Sequence, residues 1–322
     1  MTRAAKLLVL TLLVAALFVT SLTAGKAVVP LAAWFSADPR WAIIIDLRVP
    51  RAILGAALGA VLGLSGAVLQ GYLRNPLADP AVVGVSSSAA LGAVAAILFG
   101  VGGATAMFAA AMGAAALSVA LLAVLAWRSG SIVGFVLAGT VIASLSGALT
   151  AFLISIAPNP YATAEVIDWL MGALTDRGPA DVAMALPFMA MGAGLLLLTG
   201  PALDALTLGE DAARSLGIRL GRVQALIVLG TGLTVGASVA VTGVIGFVGL
   251  IVPHLLRPLF GSKPSALLLP SALGGAALVL AADSLCRIAP GPGEVRLGVA
   301  MALLGAPFFL GLLLRRRGLA WA

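Results

Sequence analysis

The most polar stretch of this sequence, residues 204–222, holds side chains suited to recognising another molecule. An acidic pair opens a predicted short helix, where it complements the helix dipole, and Arg214 can pair with Asp211. Apolar side chains flank the glycine that ends this helix, at a place where water is expected. Two interpretations remain open: a docking site for a partner protein, or a solvated loop folded on itself. The residues concerned are Glu210, Asp211, Arg214, Leu216, Gly217 and Ile218.

The rest of the sequence offers few residues that could form a catalytic or metal-binding site. The chain has one histidine, His254, and one cysteine, Cys286, which leaves no plausible Ser/His/Asp set and no cysteine or multi-histidine metal site. We interpret both as structural residues. No G-x-x-x-x-G-K-[ST] motif occurs, so the chain has no phosphate-binding P-loop of its own. We therefore expect no enzymatic activity, no metal and no cofactor in this chain.

Ion-coupled transport also has little support, because no pair of carboxylates falls in the middle of an apolar run. Secondary transporters and pumps usually carry such groups, which are too costly in a membrane to persist without a function. Asp283 lies near the end of a run, and Glu165 and Asp168 lie in a loop. The pattern favours a passage whose energy comes from a nucleotide-binding partner.

The elements that position these residues are membrane spans. Of 322 residues, 61% are hydrophobic and 10% are charged, with a mean hydropathy of +1.16, which excludes a soluble protein. A span needs about 20 apolar residues. The sequence predicts ten spans in an all-α, polytopic membrane protein with a single permease domain over residues 1–322. These are 7–25, 51–71, 82–100, 104–126, 132–157, 182–203, 223–242, 245–260, 266–285 and 297–314.

Charge predicts the orientation. With both termini in the cytoplasm, twelve of the 19 basic residues fall on the cytoplasmic side, as the positive-inside rule requires. The first run also resembles a signal peptide, but it is longer than the usual apolar region of one, and an uncleaved span is favoured. We expect a multi-pass protein of the bacterial inner (plasma) membrane.

Glycines spaced by four, Gly55, Gly59 and Gly63, form a ridge of small residues on the second span. Such a ridge lets another helix approach closely. Packing within one chain is the simpler interpretation, and a subunit interface is the alternative.

Several separated segments resemble one family. Arg48-Val49-Pro50-Arg51 is followed by the glycine-spaced helix and the turn Arg74-Asn75-Pro76-Leu77-Ala78-Asp79-Pro80. Later segments follow in the same order: ARSLG at 213–217, GVIGFVGLIVPH at 243–254 and LLGAPFF at 303–309. Together they resemble the FecCD-type permeases, which are the membrane subunits of type II ABC importers for vitamin B12, haem and iron–siderophore complexes.

The resemblance implies a ten-span fold, a homodimer, two copies of a separate ABC ATPase that binds ATP and Mg, and a periplasmic substrate-binding protein. It also implies roles for individual residues. Arg48 and Arg51 correspond to outer arginines that meet acidic residues of the binding protein, although anchoring the second span is the alternative. Arg296 stands where the family usually has proline and adds charge to this docking surface.

The same resemblance places a cytoplasmic gate at Asn75 and Leu77, and the ATPase-coupling segment at about 204–222. Span 132–157 then lines the pathway, where Ser144, Ser146 and Thr150 either face the passage or bond to their own helix. An iron chelate, haem or siderophore, is the expected substrate and vitamin B12 (cobalamin) is the alternative. A stand-alone secondary carrier is the alternative from a different class.

Overall fold

The computed structural model describes residues 2–36, 38–129, 131–291 and 293–317. Within those ranges the chain forms helices and connecting turns without a β-strand. A π-helical turn, Ile43–Arg48, runs directly into the second α-helix, and a 3₁₀ turn, Pro80–Val83, precedes the third. The α-helices are α1 Arg3–Thr23, α2 Val49–Tyr72, α3 Val85–Leu98, α4 Ala104–Ser129, α5 Ile132–Ser155, α6 Pro160–Leu170, α7 Pro179–Leu197, α8 Gly200–Leu206, α9 Glu210–Ser215, α10 Leu220–Thr242, α11 Val248–Phe260, α12 Pro264–Ile288 and α13 Leu297–Arg317.

Each predicted span corresponds to an apolar helix, and the prediction of an all-α membrane fold is confirmed. In the described residues seven helices are long and apolar enough to cross a membrane, and α3, α11 and the first 16 residues of α13 are shorter apolar helices. At 1.5 Å per residue, the 14 residues of α3 cover only about 21 Å of a hydrocarbon core of about 30 Å. The turn at Pro80–Val83 adds to this length.

The predicted span 182–203 divides into α7 and α8. Thr199, which is fully buried, lies at the division, and its hydroxyl donates to the carbonyl of Leu196. Pro201 has no backbone N–H to continue the α7 ladder and occupies the first turn of α8 instead. The division starts α8 at the point where the polar segment 204–222 begins.

Helix α2 is largely enclosed by other helices, with 78% of the most apolar part of Ile43–Tyr72 buried, a share that α10 equals. A Cβ atom added at Gly59 would overlap the carbonyl oxygen of Gly275 on α12, and one at Gly63 would overlap that of Ser271. The backbones of α2 and α12 therefore touch, as small residues permit. The glycine ridge serves packing within the chain, which is the simpler of its two interpretations.

The helices place two polar regions at opposite ends. At the first, which we call the coupling end, Arg3 donates to the carbonyl of Ala266 and Asp204 accepts from Ser265. At the other, the arginine end, Arg48 donates to the carbonyl of Leu22 near the end of α1. The start of the chain and residues 204–222 thus share one end, as the predicted topology requires, and its assignment to the cytoplasm stays a prediction.

Candidate docking, gating and coupling sites

Arg48 lies inside the arginine end and is only 6% exposed. Its Nη1 donates to the carbonyls of Leu22 (2.9 Å) and Thr23 (3.2 Å), and its Nη2 donates to that of Ala27 (2.5 Å). These bonds tie the start of α2 to the residues that follow α1. The geometry fits the anchoring alternative, and the docking role stays a prediction that requires Arg48 to leave these partners.

Arg51 is part of a buried ionic network that sequence reasoning missed. Its guanidinium lies 2.8 Å from Asp283 Oδ1 and 2.8 Å from Glu294 Oε2. Asp283, 2% exposed, also lies 3.1 Å from the guanidinium of Arg287, which is equally buried. The network joins α2 to α12. A charged side chain at this depth needs an opposite charge and hydrogen bonds beside it, and the network supplies both. The only feature of the sequence that could have indicated this pairing was a basic residue near the end of one span and an acidic residue near the end of another.

Glu294 lies in the loop between α12 and α13. Burial acts to raise the pKa of its carboxyl, but the hydrogen bonds from Arg51 and Thr175, with the nearby positive charges, outweigh burial and hold the pKa below its usual value. Glu294 is therefore a carboxylate at neutral pH.

Arg296 differs from the other two arginines. Its guanidinium lies 2.5 Å from Asp168 of α6, and the two side chains are 31% and 51% exposed. Of the three residues predicted to dock a binding protein, Arg296 has the most exposed side chain. Its docking role also stays a prediction.

The predicted gate residues lie in the turn 74–80, in which side chains accept hydrogen bonds from the backbone. Asn75 Oδ1 accepts from the N–H of Leu77 (3.0 Å), and Asp79 Oδ1 accepts from that of Ala81 (2.9 Å). A Cβ added at Gly139 of α5 would overlap the carbonyl oxygen of Val82, so the 3₁₀ turn that follows packs directly against α5. Asn75 is exposed and Leu77 is half-buried, which leaves both accessible for the predicted gate.

The three polar residues predicted to line a pathway on α5 have different surroundings. The Ser146 hydroxyl is buried and lies 2.9 Å from that of Ser88 on α3, so it joins two helices. Thr150 donates to the carbonyl of Ser146, which is the alternative of bonding within its own helix. Ser144 is exposed. The pathway role of all three residues stays a prediction.

The coupling segment forms the predicted short helix, α9, but its ion pair is different from the one predicted. Arg214 lies 3.8 Å from Glu210, four residues before it, whereas the predicted partner was Asp211, three residues before it. Both spacings allow side chains on a helix to meet. Gly217, just after the end of α9, has a φ of +82°, a conformation that favours glycine.

The two apolar residues around Gly217 have different positions. Leu216 is 64% exposed, as the docking interpretation requires. Ile218 is half-buried and packs against the hydrophobic core, so it fixes the segment to the body of the molecule. The segment is thus neither wholly solvated nor folded entirely on itself.

A second polar network, at the coupling end, was also missed. Gln70 of α2 is 3% exposed, and its amide nitrogen donates to the carbonyls of Ala78 and Gly249. Its Oε1 accepts from Arg257 of α11 at 2.6 Å. The feature of the sequence that could have indicated this network was a glutamine at the end of an apolar run, together with one arginine in a short apolar segment.

The model of the FecCD transport family matches residues 11–315. The chain belongs to the FecCD transport family. As a FecCD permease it is an integral membrane subunit of a type II ABC importer and not itself an enzyme.

Relatives of this FecCD permease are named after different substrates. It is 36% identical to the hemin transport system permease protein HmuU of Yersinia pestis over 286 residues, 87% of this chain and 85% of that one. It is 41% identical to the vitamin B12 import system permease protein BtuC of Vibrio cholerae over 292 residues, 89% of this chain and 86% of that one.

Its fold matches a solved structure described as an inward-facing conformation of a metal-chelate type ABC transporter. The TM-score is 0.89 at 31% identity, with 97% of this chain and 99% of the other covered.

Proposed function

We propose that this chain is the pathway-forming subunit of an ATP-driven importer in the bacterial inner membrane, with both termini in the cytoplasm. Two copies enclose the pathway, two ABC ATPase subunits bind the coupling end and supply ATP and Mg²⁺, and a periplasmic binding protein delivers the substrate. The proposed substrate is an iron chelate, haem or siderophore, and vitamin B12 is the alternative. The chain itself holds no cofactor in this proposal.

The observation that carries the proposal is the exposed apolar surface of the coupling segment. Leu208 and Leu216 are 68% and 64% exposed on either side of α9, in the most polar part of the chain. Exposed apolar groups outside the lipid-facing helices are typical of a protein–protein contact. The segment is anchored by Ile218, so it presents these leucines on a fixed support.

An exposed apolar face of α5 supports the proposal that two copies of the chain associate. Val133, Leu137, Val141 and Leu145 recur along one exposed apolar face, between 54% and 69% exposed. A second copy is tested by cysteine cross-linking, because the chain has one native cysteine and it is buried. Leu145→Cys is expected to give a disulfide-linked dimer, whereas Leu117→Cys on α4, 72% exposed, is expected to stay monomeric on oxidation. Equal cross-linking of both would contradict the α5 interface.

The partner is tested by purifying the tagged chain from its native host in mild detergent and identifying the co-purifying proteins by mass. A P-loop ATPase in equal copy number is expected. Leu216→Asp is expected to lose it, whereas Tyr161→Asp, a similarly exposed change on α6, is expected to retain it. A wild-type chain that binds no ATPase even when ATP is trapped would overturn the proposal in favour of a stand-alone carrier.

The substrate is tested in proteoliposomes that contain the permease, the ATPase and the binding protein. Haem, a ferric siderophore and cobalamin are offered separately, and ATP-dependent uptake of one of the iron chelates is expected. Uptake of cobalamin alone would select the alternative.

A further inference from the structure

Two concave surfaces follow one another along α10. The first, which we call the α7–α10 cavity, has a volume of about 380 Å³ and opens at the coupling end, between the end of α7, the start of α8 and the start of α10. The second, the α4–α10 groove, has a volume of about 370 Å³. Arg222 and Leu226 line the cavity, and Leu229 and Leu233 line the groove. Positions three or four apart share one face of a helix, so one face of α10 runs from the cavity into the groove.

The α7–α10 cavity carries positive charge that the chain itself does not neutralise. Arg219 and Arg222 both line it and are exposed. Among the residues that the structure describes, neither guanidinium has a hydrogen bond or an ion pair, and the lining contains no carboxylate. Two adjacent guanidinium groups without an opposite charge are suited to a phosphate, whose oxygens they can bind in pairs.

The cavity lies where two membrane spans end. Helices α7 and α10 are both long and apolar enough to cross a membrane, and the cavity takes in the residues just after the end of α7 and those at the start of α10. Leu198 in its wall is 67% exposed, and Leu226 is half-buried. Arginines at the end of a span reach the headgroup layer, while leucines beside them face the hydrocarbon.

The α4–α10 groove is suited to an apolar chain, because all the residues in its lining are apolar or glycine. Its α4 side includes the exposed alanines Ala116, Ala120 and Ala123, whose short side chains leave the groove open. The eleven positions from Arg222 to Leu233 cover about 16 Å at 1.5 Å per residue. That length is close to half of a hydrocarbon core of about 30 Å, which is the depth that one acyl chain fills.

We propose that the α7–α10 cavity and the α4–α10 groove together bind one anionic phospholipid of the leaflet at the coupling end. Its phosphate lies between Arg219 and Arg222, and one of its acyl chains lies in the groove. A protein partner is disfavoured because the surface continues from the arginines down the faces of two membrane spans, where a lipid can follow it. Arg219 directly follows Ile218, which packs against the core, so the lipid binds next to the point where the coupling segment is anchored.

The headgroup is tested with the full-length permease in detergent. The protein is titrated with phosphatidylglycerol, or with phosphatidylcholine carrying the same acyl chains, and bound lipid is counted by native mass spectrometry. We expect tighter binding of phosphatidylglycerol. Arg219→Gln with Arg222→Gln is expected to weaken that binding about 25-fold, because each basic residue beside anionic lipid contributes about fivefold.

A matched control removes two other cations from the coupling end. Arg3→Gln with Lys263→Gln makes the same change of charge outside the cavity and is expected to bind phosphatidylglycerol as wild type does. Arg219→Lys with Arg222→Lys keeps the charge and is expected to retain most of the affinity. Unchanged Tm in the double glutamine variant shows that its loss of lipid does not come from misfolding.

The groove is tested separately from the charge. Ala120→Phe fills the groove and leaves both arginines in place, so it is expected to weaken phosphatidylglycerol binding. Ala109→Phe places the same exposed side chain on α4 outside the groove lining and is expected to have no effect.

Three results would overturn the proposal. The first is equal binding of phosphatidylglycerol by wild type and the double glutamine variant. The second is displacement of the lipid by inorganic phosphate at equal concentration, which would assign the cavity to a free anion. The third is a double glutamine variant that keeps its lipid but loses a co-purifying ATPase, which would assign the arginines to a protein partner.

Discussion

Three arginines at one end of this molecule and Arg74 at the other lie in contrasting surroundings. At the arginine end, Arg48 and Arg287 are buried and the side chain of Arg51 is only 11% exposed, and all three are bonded to carbonyls or carboxylates of the same chain. At the coupling end, Arg74 is exposed and borders a cavity with no carboxylate in its lining. Charge that is satisfied internally stabilises the fold, whereas charge left open is available for a partner. The sign of a residue alone does not tell which of these roles it has.

Both ends depend on α2, which carries Arg51 at its start and Gln70 near its end. Gly59→Val is expected to have the largest effect, because its side chain would overlap the backbone of Gly275 and separate α2 from α12. We expect no monodisperse protein by size-exclusion chromatography. Gly113→Ala, where an added Cβ meets nothing within 4 Å, is the control and is expected to behave as wild type does. A well-folded Gly59→Val would refute the close contact.

Asp283→Asn tests the claim that the arginine end is structural. It leaves Arg51 and Arg287 with less compensation in a buried site, where breaking an ion pair costs about 3–5 kcal/mol. We expect a large fall in Tm in detergent. Asp38→Asn, which removes an exposed ion pair with Arg40, is the control and should leave Tm unchanged within error. Equal Tm values for both variants would argue against the network.

Arg48→Met and Arg296→Met sharpen the contrast within the arginine end. Arg48→Met removes the donor from the carbonyls of Leu22, Thr23 and Ala27, at about 0.5–1.5 kcal/mol for each hydrogen bond lost. We expect it to lower Tm. Arg296→Met removes a partly exposed pair and is expected to keep Tm but to weaken the stimulation of ATP hydrolysis by the binding protein. The reverse pattern would return Arg48 to the predicted docking role.

The smallest expected effect is a pH dependence. The pKa of Glu294 is lower in the folded chain than in the unfolded chain, so its carboxylate contributes stability above the usual glutamate pKa of about 4.3. That contribution is lost as the pH falls through the lowered pKa. Thermal unfolding from pH 7 to pH 3 should show a shallower acid loss in Glu294→Gln than in wild type. If Tm fell with pH in the same way in both proteins, the pairing of Glu294 with Arg51 would not contribute to stability.

Most of the fold was predictable because membrane spans are long apolar runs, and each predicted run contains a helix. The division after Leu197 was not predicted, because an apolar run continues through it and only Pro201 marks the change. The internal role of the glycine ridge required the partner backbone at Gly275, which lies far away in the sequence.

The sites were less predictable, because they depend on side chains that meet across the fold. Arg51 and Asp283 are separated by 232 positions, and spacing along the chain does not show that they pair. The α9 helix was predicted from local signals, yet its ion pair was assigned to Asp211 rather than Glu210. Local sequence signals were enough to predict the α9 helix, but not which of its two acidic residues pairs with Arg214.

The contact between Gly59 and Gly275 has a mechanical consequence. With each glycine against the other's carbonyl, α2 and α12 cannot slide past one another without lifting apart, since the adjoining Ala60 and Ala276 carry Cβ atoms. We therefore expect the two helices to move as one unit, about 36 Å long over the 24 residues of α2. A tilt imposed at one end of α2 is then expected to be carried along both helices together, with larger relative movements among the helices around them.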